Sequence, residues 1–269
     1  MAIKILCLHG QGTSGAIFKS QTSSIRSRLT DLNITYDFLD GPFPCAPAPG
    51  VDLFYPPPYQ RYLEDSTLSS AEKALTWLHN YLAQNGPYDA ILTFSQGCAV
   101  GAAALLVHQQ SLQPQQPPLF KAAIFICGGI PIPILEKVGY HVSPAIKARD
   151  LRSREMLAQQ ADSRVLLERG AARWTGAAGD VLLGGLSTEE IRGEMMDGPV
   201  RIGIPTVHVY GAKDPRFGAG VWLSGVCEGG SKRRVFDHGG GHEIPRTEEV
   251  SATVAGLVRW VLKEGGVCS

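Results

Sequence analysis

The chain alternates between short strand-like apolar runs and longer stretches of helical periodicity, a pattern that few folds satisfy. The runs are Ile3–Leu8, Ile34–Leu39, Ala90–Phe94, Ala122–Cys127, Thr206–Tyr210 and Arg234–Phe236. Helical patterns lie between and after them, around residues 16–31, 69–84, 97–110, 218–227 and 247–263. The last places Val250, Val254, Leu257, Val258 and Val261 on one face, after the start signals Pro245 and Thr247. Such an alternation predicts an α/β chain: a doubly wound, mostly parallel sheet covered by helices. With 269 residues, 44% of them apolar, there is material for one large domain spanning residues 1–269. No internal repeat is visible.

Charge and cysteine usage narrow the function classes. Lys plus Arg and Asp plus Glu are each 25, so the formal net charge is zero. That excludes a nucleic-acid binder working by counterion release. No apolar run approaches the roughly 20 residues that cross a bilayer, so no membrane span is expected. The stretch Met1–Gly10 lacks the long apolar region and small-residue cleavage site of an export signal, and reads as a buried strand. Cys7, Cys45, Cys98, Cys127, Cys227 and Cys268 make no C-x-x-C pair and no metal-ligand spacing. They read as free thiols in a reducing compartment, with a cytoplasmic location and no metal or cofactor expected. The terminal Val-Cys-Ser is neither a peroxisomal address nor a prenylation box.

Two segments break the alternation. Residues 40–66 carry seven prolines, with Phe43, Phe54, Tyr55, Tyr59 and Tyr62 among them. Proline at that density resists helix and central strand, so a long loop is expected, with the aromatics forming a wall over a site. Residues 131–200 begin with Pro131 and Pro133. They continue with a helix expected near 150–172, a Gly/Ala stretch and another helix at Thr188–Met196. Inserted between two core strands, this segment reads as a helical lid.

Chemistry concentrates at strand ends. In Ala90-Ile-Leu-Thr-Phe-Ser95-Gln-Gly97 a strand ends at a serine and a helix begins at once. Those are the mechanics of a nucleophile elbow, in which a sharp turn projects the hydroxyl and the Gln96 N–H faces an oxyanion. The usual pattern is G-x-S-x-G; Thr93 stands where the first glycine belongs, a crowded position. Alone, such a serine is as readily a helix N-cap. The first strand ends in His9-Gly10-Gln11-Gly12, a turn suited to supplying the second oxyanion N–H, from Gln11 with Gly12 as neighbouring candidate. His9 and Gly10 are expected beside the substrate. The His9 ring itself reads best as a strand-end histidine that holds the loop.

Two further segments supply an acid and a base. Val207-His-Val-Tyr-Gly-Ala-Lys-Asp214-Pro is an apolar strand followed by a carboxylate. Val235-Phe-Asp-His-Gly-Gly-Gly-His242 is the next strand, a glycine loop and a histidine. A base must reach the serine hydroxyl, and a carboxylate must orient the base. The order Ser95, Asp214, His242 is that of the α/β-hydrolases and differs from the two protease orders. His238 competes with His242, and Asp180 and Asp237 compete with Asp214. His242 is favoured because three glycines can bend it over the sheet edge.

His9-Gly-Gln-Gly-Thr-Ser-Gly, Asp40-Gly-Pro-Phe-Pro, Phe54-Tyr-Pro-Pro-Pro-Tyr, Phe94-Ser-Gln-Gly, Gly211-Ala-Lys-Asp-Pro and Gly241-His-Glu-Ile-Pro-Arg together resemble the fungal family of serine hydrolases. That family is related to the human ovarian-cancer-associated serine hydrolase and to the thioesterase that releases the lovastatin polyketide. The resemblance covers essentially the whole core. It implies an α/β-hydrolase fold, a Ser95–Asp214–His242 triad, no metal, and ester or thioester substrates. Many relatives are encoded beside polyketide synthases.

Three readings follow. The first is a thioesterase that releases a polyketide from an acyl carrier protein, with Phe54, Tyr55 and Tyr59 binding an apolar acyl chain. The second is a carboxylesterase for small free esters or lactones. The third is a hydrolase-fold binding protein without turnover, for which an intact triad would serve no purpose. From Lys147 to Arg173, seven basic residues stand against four acidic ones. This locally basic surface is read either as a solvated helix or as a docking face for an acidic carrier protein.

Overall fold

In a computed structural model of the chain, residues 2–111, 113, 116–160, 167–168, 170, 190–191 and 198–268 are described. The strands in chain order are β1 (Ile3–Leu8), β2 (Ile34–Leu39), β3 (Phe43–Pro44), β4 (Gln60–Arg61), β5 (Ala90–Phe94), β6 (Ala122–Ile126), β7 (Thr206–Tyr210) and β8 (Arg233–Asp237). Six of them form one parallel sheet in the order β2-β1-β5-β6-β7-β8. The helices are α1 (Gly15–Gln21), α2 (Ser23–Arg26), α3 (Leu68–Asn85), α4 (Gln96–Ser111), α5 (Ile132–Lys137), α6 (Pro144–Gln160), α7 (Phe217–Gly225) and α8 (Glu248–Glu264). This is the α/β architecture expected from the alternation of runs.

Each central strand sends successive side chains to opposite faces, and both faces are apolar. Leu6, Leu8, Ile91, Ala123 and Phe125 build one core layer with α3, α4 and α7. Ile5, Cys7, Leu92, Ile124 and Val209 build the other, where α8 lays down Val254, Val258, Val261 and Leu262. The outer strand β8 carries Arg233 and Arg234, a charged edge that discourages pairing with another chain.

The structure revises several boundaries. The helix expected at 16–31 is α1, α2 and a 3₁₀ turn at Ser27–Leu29. It breaks at Thr22, whose hydroxyl donates to the Phe18 carbonyl (2.8 Å) in competition with the backbone. The 40–66 loop contains a small antiparallel ladder, β3 against β4, which the prolines had argued against. It survives because proline here sits in a two-residue ladder apart from the main sheet. The strand expected through Cys127 stops at Ile126, because Cys127 turns to φ 48°.

In the insertion between β6 and β7, Pro131 and Pro133 introduce α5, and the helix expected at 150–172 begins earlier, as α6. Its expected end and most of the Thr188–Met196 helix lie outside the described residues. The same holds for Asp162, Arg164, Arg169 and Arg173 of the basic stretch. Of the basic residues that are described, Lys147 pairs with Glu136 and Arg154 with Asp150.

Helix α6 buries a partly polar seam, Ile146, Asp150 and Ser153. Asp150 accepts 2.7 Å and 2.8 Å hydrogen bonds from Arg216 Nη1 and Arg154 Nε, and Arg216 also donates to Ser153 Oγ (2.7 Å). Burial pushes the Asp150 carboxyl up, but Arg216 and Arg154 outweigh it and hold it below the ordinary carboxylate range. A carboxyl depressed on folding stabilises the fold above its unfolded value of about 3.9, and that stability is lost as pH falls through the folded value. Asp150→Ala strands the Arg216 charge and is expected to cost about 3–5 kcal/mol. Urea titrations at neutral pH and near pH 3 check both statements, and the gap between wild type and variant should narrow at the lower pH.

Candidate active site

The carboxyl ends of four strands meet at one edge of the sheet, where open α/β sheets place their ligands. Register explains the meeting: Leu8 lies opposite Thr93, Phe94 opposite Ile126, Ile126 opposite Val209 and Tyr210 opposite Asp237. The loops carrying Gly10, Ser95, Asp214 and His242 therefore leave the sheet at nearly the same height.

Ser95 has φ 51°, the left-handed region, and is one of two such non-glycine residues among those described. Its N–H still donates to the Ile126 carbonyl (3.0 Å), while its own carbonyl accepts from the Cys98 N–H (3.0 Å). The residue thus belongs to strand and helix at once, and its hydroxyl is thrown clear of both. Gly97 makes the turn possible, since a Cβ there would lie 2.3 Å from the Leu8 carbonyl oxygen. Thr93 is fully buried, and its hydroxyl donates to the Ile124 carbonyl (3.0 Å). Its methyl faces Gly101, where an added Cβ would come within 3.2 Å of it. A small residue one helical turn along α4 thus makes the room that a glycine at position 93 would have made.

His242 Nε2 lies 2.8 Å from Ser95 Oγ, and His242 Nδ1 lies 2.8 Å from Asp214 Oδ2. Asp214 is 1% exposed, and its second oxygen accepts the Arg216 N–H (2.7 Å), which fixes the carboxylate plane. A hydroxyl, an imidazole and a buried carboxylate bonded in this order can pass a proton from serine to histidine with the ring already oriented. His238 instead accepts the Gly240 N–H at Nδ1 (3.2 Å) and faces the Cys127 thiol. Asp237 accepts the Ala212 and Gly239 N–H groups and staples two loops together. Asp180 lies outside the described residues.

The N–H groups of Gln96 and Gln11 have no acceptor among the described residues. Spacing between their loops is set by a feature that sequence reading missed, the Gln96 side chain. Its Oε1 accepts the Tyr62 and Leu63 N–H groups (2.7 and 3.2 Å), and its Nε2 donates to Gln11 Oε1 (3.1 Å) and the Leu63 carbonyl (3.3 Å). Glutamine directly after a strand-end serine was the available signal, because it supplies donor and acceptor together. Behind it, Gly12 at φ 72° packs so closely on Ala48 that a Cβ would lie 2.2 Å from the Ala48 nitrogen.

The expected substrate contacts of His9 and Tyr59 are corrected, while the loop-holding place expected of the His9 ring is the one the structure shows. His9 is fully buried and does not line the cavity. Its Nε2 accepts the Gly41 N–H (3.0 Å) and its Nδ1 faces the Gly10 carbonyl (2.7 Å), so a neutral ring ties the β1 loop to residues 40–41. Tyr59 likewise stands behind the wall, its hydroxyl donating to the Tyr55 carbonyl (2.6 Å). Gly10, Phe54 and Tyr55 do line a cavity of about 1420 Å³ that also contains Ser95 and His242. Among the described residues, one group of donors could hold a metal ion: Cys127 Sγ, the Asp214 carboxylate and a His242 nitrogen, all within 4.8 Å. Asp214 and His242 already bond each other, and the thiol donates to the Glu243 carbonyl (3.4 Å), with burial pushing its pKa up.

Sheet order, the strained serine turn and the chain order of the three residues define an α/β-hydrolase. The solved structures agree in fold: a carboxylesterase from Mesorhizobium loti superposes with TM-score 0.52 at 13% identity, covering 96% of this chain and 88% of its own. Arabidopsis thaliana SOBER1 gives 0.50 at 18% identity, covering 98% and 99%. More specifically, the chain belongs to the family described as Serine hydrolase (FSH1), which matches residues 1–254. Esterase FPY3 of Fusarium mangiferae is 31% identical over 246 residues, 91% of this chain and 89% of that protein. Esterase alnB of Emericella nidulans is 27% identical over 285 residues, 97% and 96% of the two. The protein is a serine hydrolase of the esterase type, which sets aside the reading as a binding protein without turnover.

Gln96→Leu leaves the Tyr62 and Leu63 N–H groups without their acceptor and frees the Gln11 loop. Ester hydrolysis by this variant is expected to fall in kcat about tenfold to a hundredfold, with a smaller change in KM. Gln96→Glu keeps the acceptor and loses the donation to Gln11, so it should fall between the two in a steady-state assay.

Proposed function

We propose that the protein hydrolyses esters and thioesters of apolar acyl chains through an acyl-enzyme on Ser95. The observation that carries this reading is the pair of 2.8 Å contacts joining Ser95, His242 and Asp214. Nδ1–H of His242 donates to Asp214, which leaves Nε2 to take the Ser95 proton as Oγ attacks the acyl carbonyl. The oxyanion is held by the N–H groups of Gln96 and Gln11, both free of internal acceptors among the described residues. His242 then protonates the leaving alcohol or thiol. Water, activated by the same nitrogen, attacks the acyl-enzyme and releases the acid.

Substrate class is read from the cavity wall. Phe54, Tyr55, Val51, Leu63, Ile130 and Ile132 present mainly carbon surface, suited to an aliphatic or polyketide-like chain. The thioester half of the proposal rests on the resemblance to a family related to the thioesterase that releases the lovastatin polyketide. A second reading, hydrolysis of small free esters, is favoured by relatives that are named esterases. Six free cysteines suit a cytoplasmic setting.

Ser95→Ala is expected to abolish both hydrolysis and fluorophosphonate labelling in a folded protein, a loss of up to about 10⁶ in turnover. Asp214→Asn should cost about 10⁴, and His242→Ala should approach the serine variant. Labelling that persists at another serine, or a silent His242→Ala, would overturn the assignment.

Chain-length dependence tests the pocket. Each buried methylene is worth about 0.8 kcal/mol, so kcat/KM should climb up to about fourfold per carbon until the cavity fills. Thioesters and oxygen esters of matched acyl length, assayed side by side and then on a carrier protein, decide between the two readings.

A further inference from the structure

We infer that Arg246, oriented by Tyr55, is a binding site for an anionic group on the substrate, either a carboxylate or a phosphate; this rests on the acyl-transfer reading of the same cavity. The cations lining the cavity fall into two sets. Lys147 is paired with Glu136, while Arg154 and Arg216 share Asp150. Arg246 and Arg61 line the same cavity, and neither has a carboxylate within ion-pair distance among the described residues. The cavity's other acids do not fill the gap. Glu64 faces Lys73 (3.6 Å), Asp65 accepts from Thr67, and Glu243 lies outside pairing distance of Arg246.

Arg246 is nonetheless held in place. Its Nη2 donates to the Tyr55 hydroxyl (2.8 Å), which shares a 3.1 Å hydrogen bond with Ser20 Oγ. Tyr55 is itself gripped through its carbonyl by the Tyr59 hydroxyl. Partial burial pushes the Tyr55 hydroxyl up, but its bonds with Ser20 and Arg246 outweigh that and leave it below its ordinary value. A guanidinium has five N–H donors in a planar fork, and one bond to tyrosine leaves the fork available to a two-oxygen acceptor. Arg61, by contrast, spends Nη1 on the Glu64 carbonyl (3.0 Å), which leaves Arg246 as the better placed of the two.

Position makes the anion a specificity device. Arg246 follows His242 by four residues on one loop, and Tyr55 belongs to the aromatic wall. A substrate with its carbonyl at Ser95 and its apolar part against that wall would present a charged end to Arg246. Two sources of anion fit: a free carboxylate on the acyl chain, or the phosphate of a pantetheine-type thiol on the leaving side.

The test compares matched pairs on the full chain. 4-Nitrophenyl hemiglutarate against 4-nitrophenyl butyrate isolates a carboxylate on the acyl side. Butyryl-4′-phosphopantetheine against butyryl-pantetheine isolates phosphate on the leaving side. In Arg246→Ala the anionic-to-neutral ratio of kcat/KM is expected to fall about tenfold or more in one pair, mainly through KM, and that pair names the source. Arg246→Lys should retain part of the ratio, Arg246→Glu should lower it further, and added salt should compress it in wild type only. Where turnover is slow, labelling rates with a carboxylated fluorophosphonate and its neutral analogue supply the same ratio. Ratios that stay within about twofold in both pairs overturn the inference, while labelling that does not depend on Ser95 overturns the acyl-transfer reading instead.

Discussion

A serine held at φ 51° between a strand and a helix is the constraint around which this molecule is arranged. A left-handed turn at a residue with a Cβ costs of order 1–3 kcal/mol and persists only where the surroundings leave no alternative. Here the Ser95 N–H is claimed by β6 and its carbonyl by α4, while Gly97 lets α4 close to within contact of the Leu8 carbonyl. The strain is offset by a parallel sheet whose two faces are both buried. The result is a hydroxyl that points away from the sheet toward His242 rather than into the α4 backbone.

Polar clamps hold the loops that surround this turn. Gln96 satisfies two backbone donors of the aromatic segment and grips Gln11. His9 does comparable work from below, joining the β1 loop to Gly41, and Tyr62 donates to the Leu39 carbonyl while its oxygen accepts the His9 N–H. These side chains are largely buried and fully bonded, so each loop has one low-energy arrangement rather than several. Pre-organisation of this kind lets backbone N–H groups stabilise developing charge without a reorganisation cost during reaction.

The acid side is braced differently. Asp214 bonds to His242 with one oxygen and to the Arg216 N–H with the other, while the Arg216 guanidinium reaches Asp150 on α6. The insertion is thereby anchored to the residue that orients the base, through groups too buried for solvent to screen. Cys127, the second residue in the left-handed region, donates its thiol to the Glu243 carbonyl and packs under the loop that carries His242. Both features join sequence-distant segments, and neither leaves a motif.

Strand and helix identities were legible because period and composition are local properties: buried parallel strands are apolar throughout, and α8 repeats its apolar face at helical spacing. The order of serine, aspartate and histidine along the chain was equally local, each standing just beyond a strand-like run. What the sequence could not supply was which side chains turn inward. The His9 ring read as a loop support, but that it grips Gly41 was not legible, and Tyr59 read as a cavity residue and proved to be a support, because both outcomes depended on where Gly41 and Tyr55 came to rest. Likewise, Gly101 makes room for Thr93 only once α4 lies on β5, and Arg246 meets Tyr55 only once residues nearly two hundred positions apart share a wall. Spacing along a chain sets the repertoire of chemistry, whereas the partner of each polar group is decided by packing, which no single segment contains.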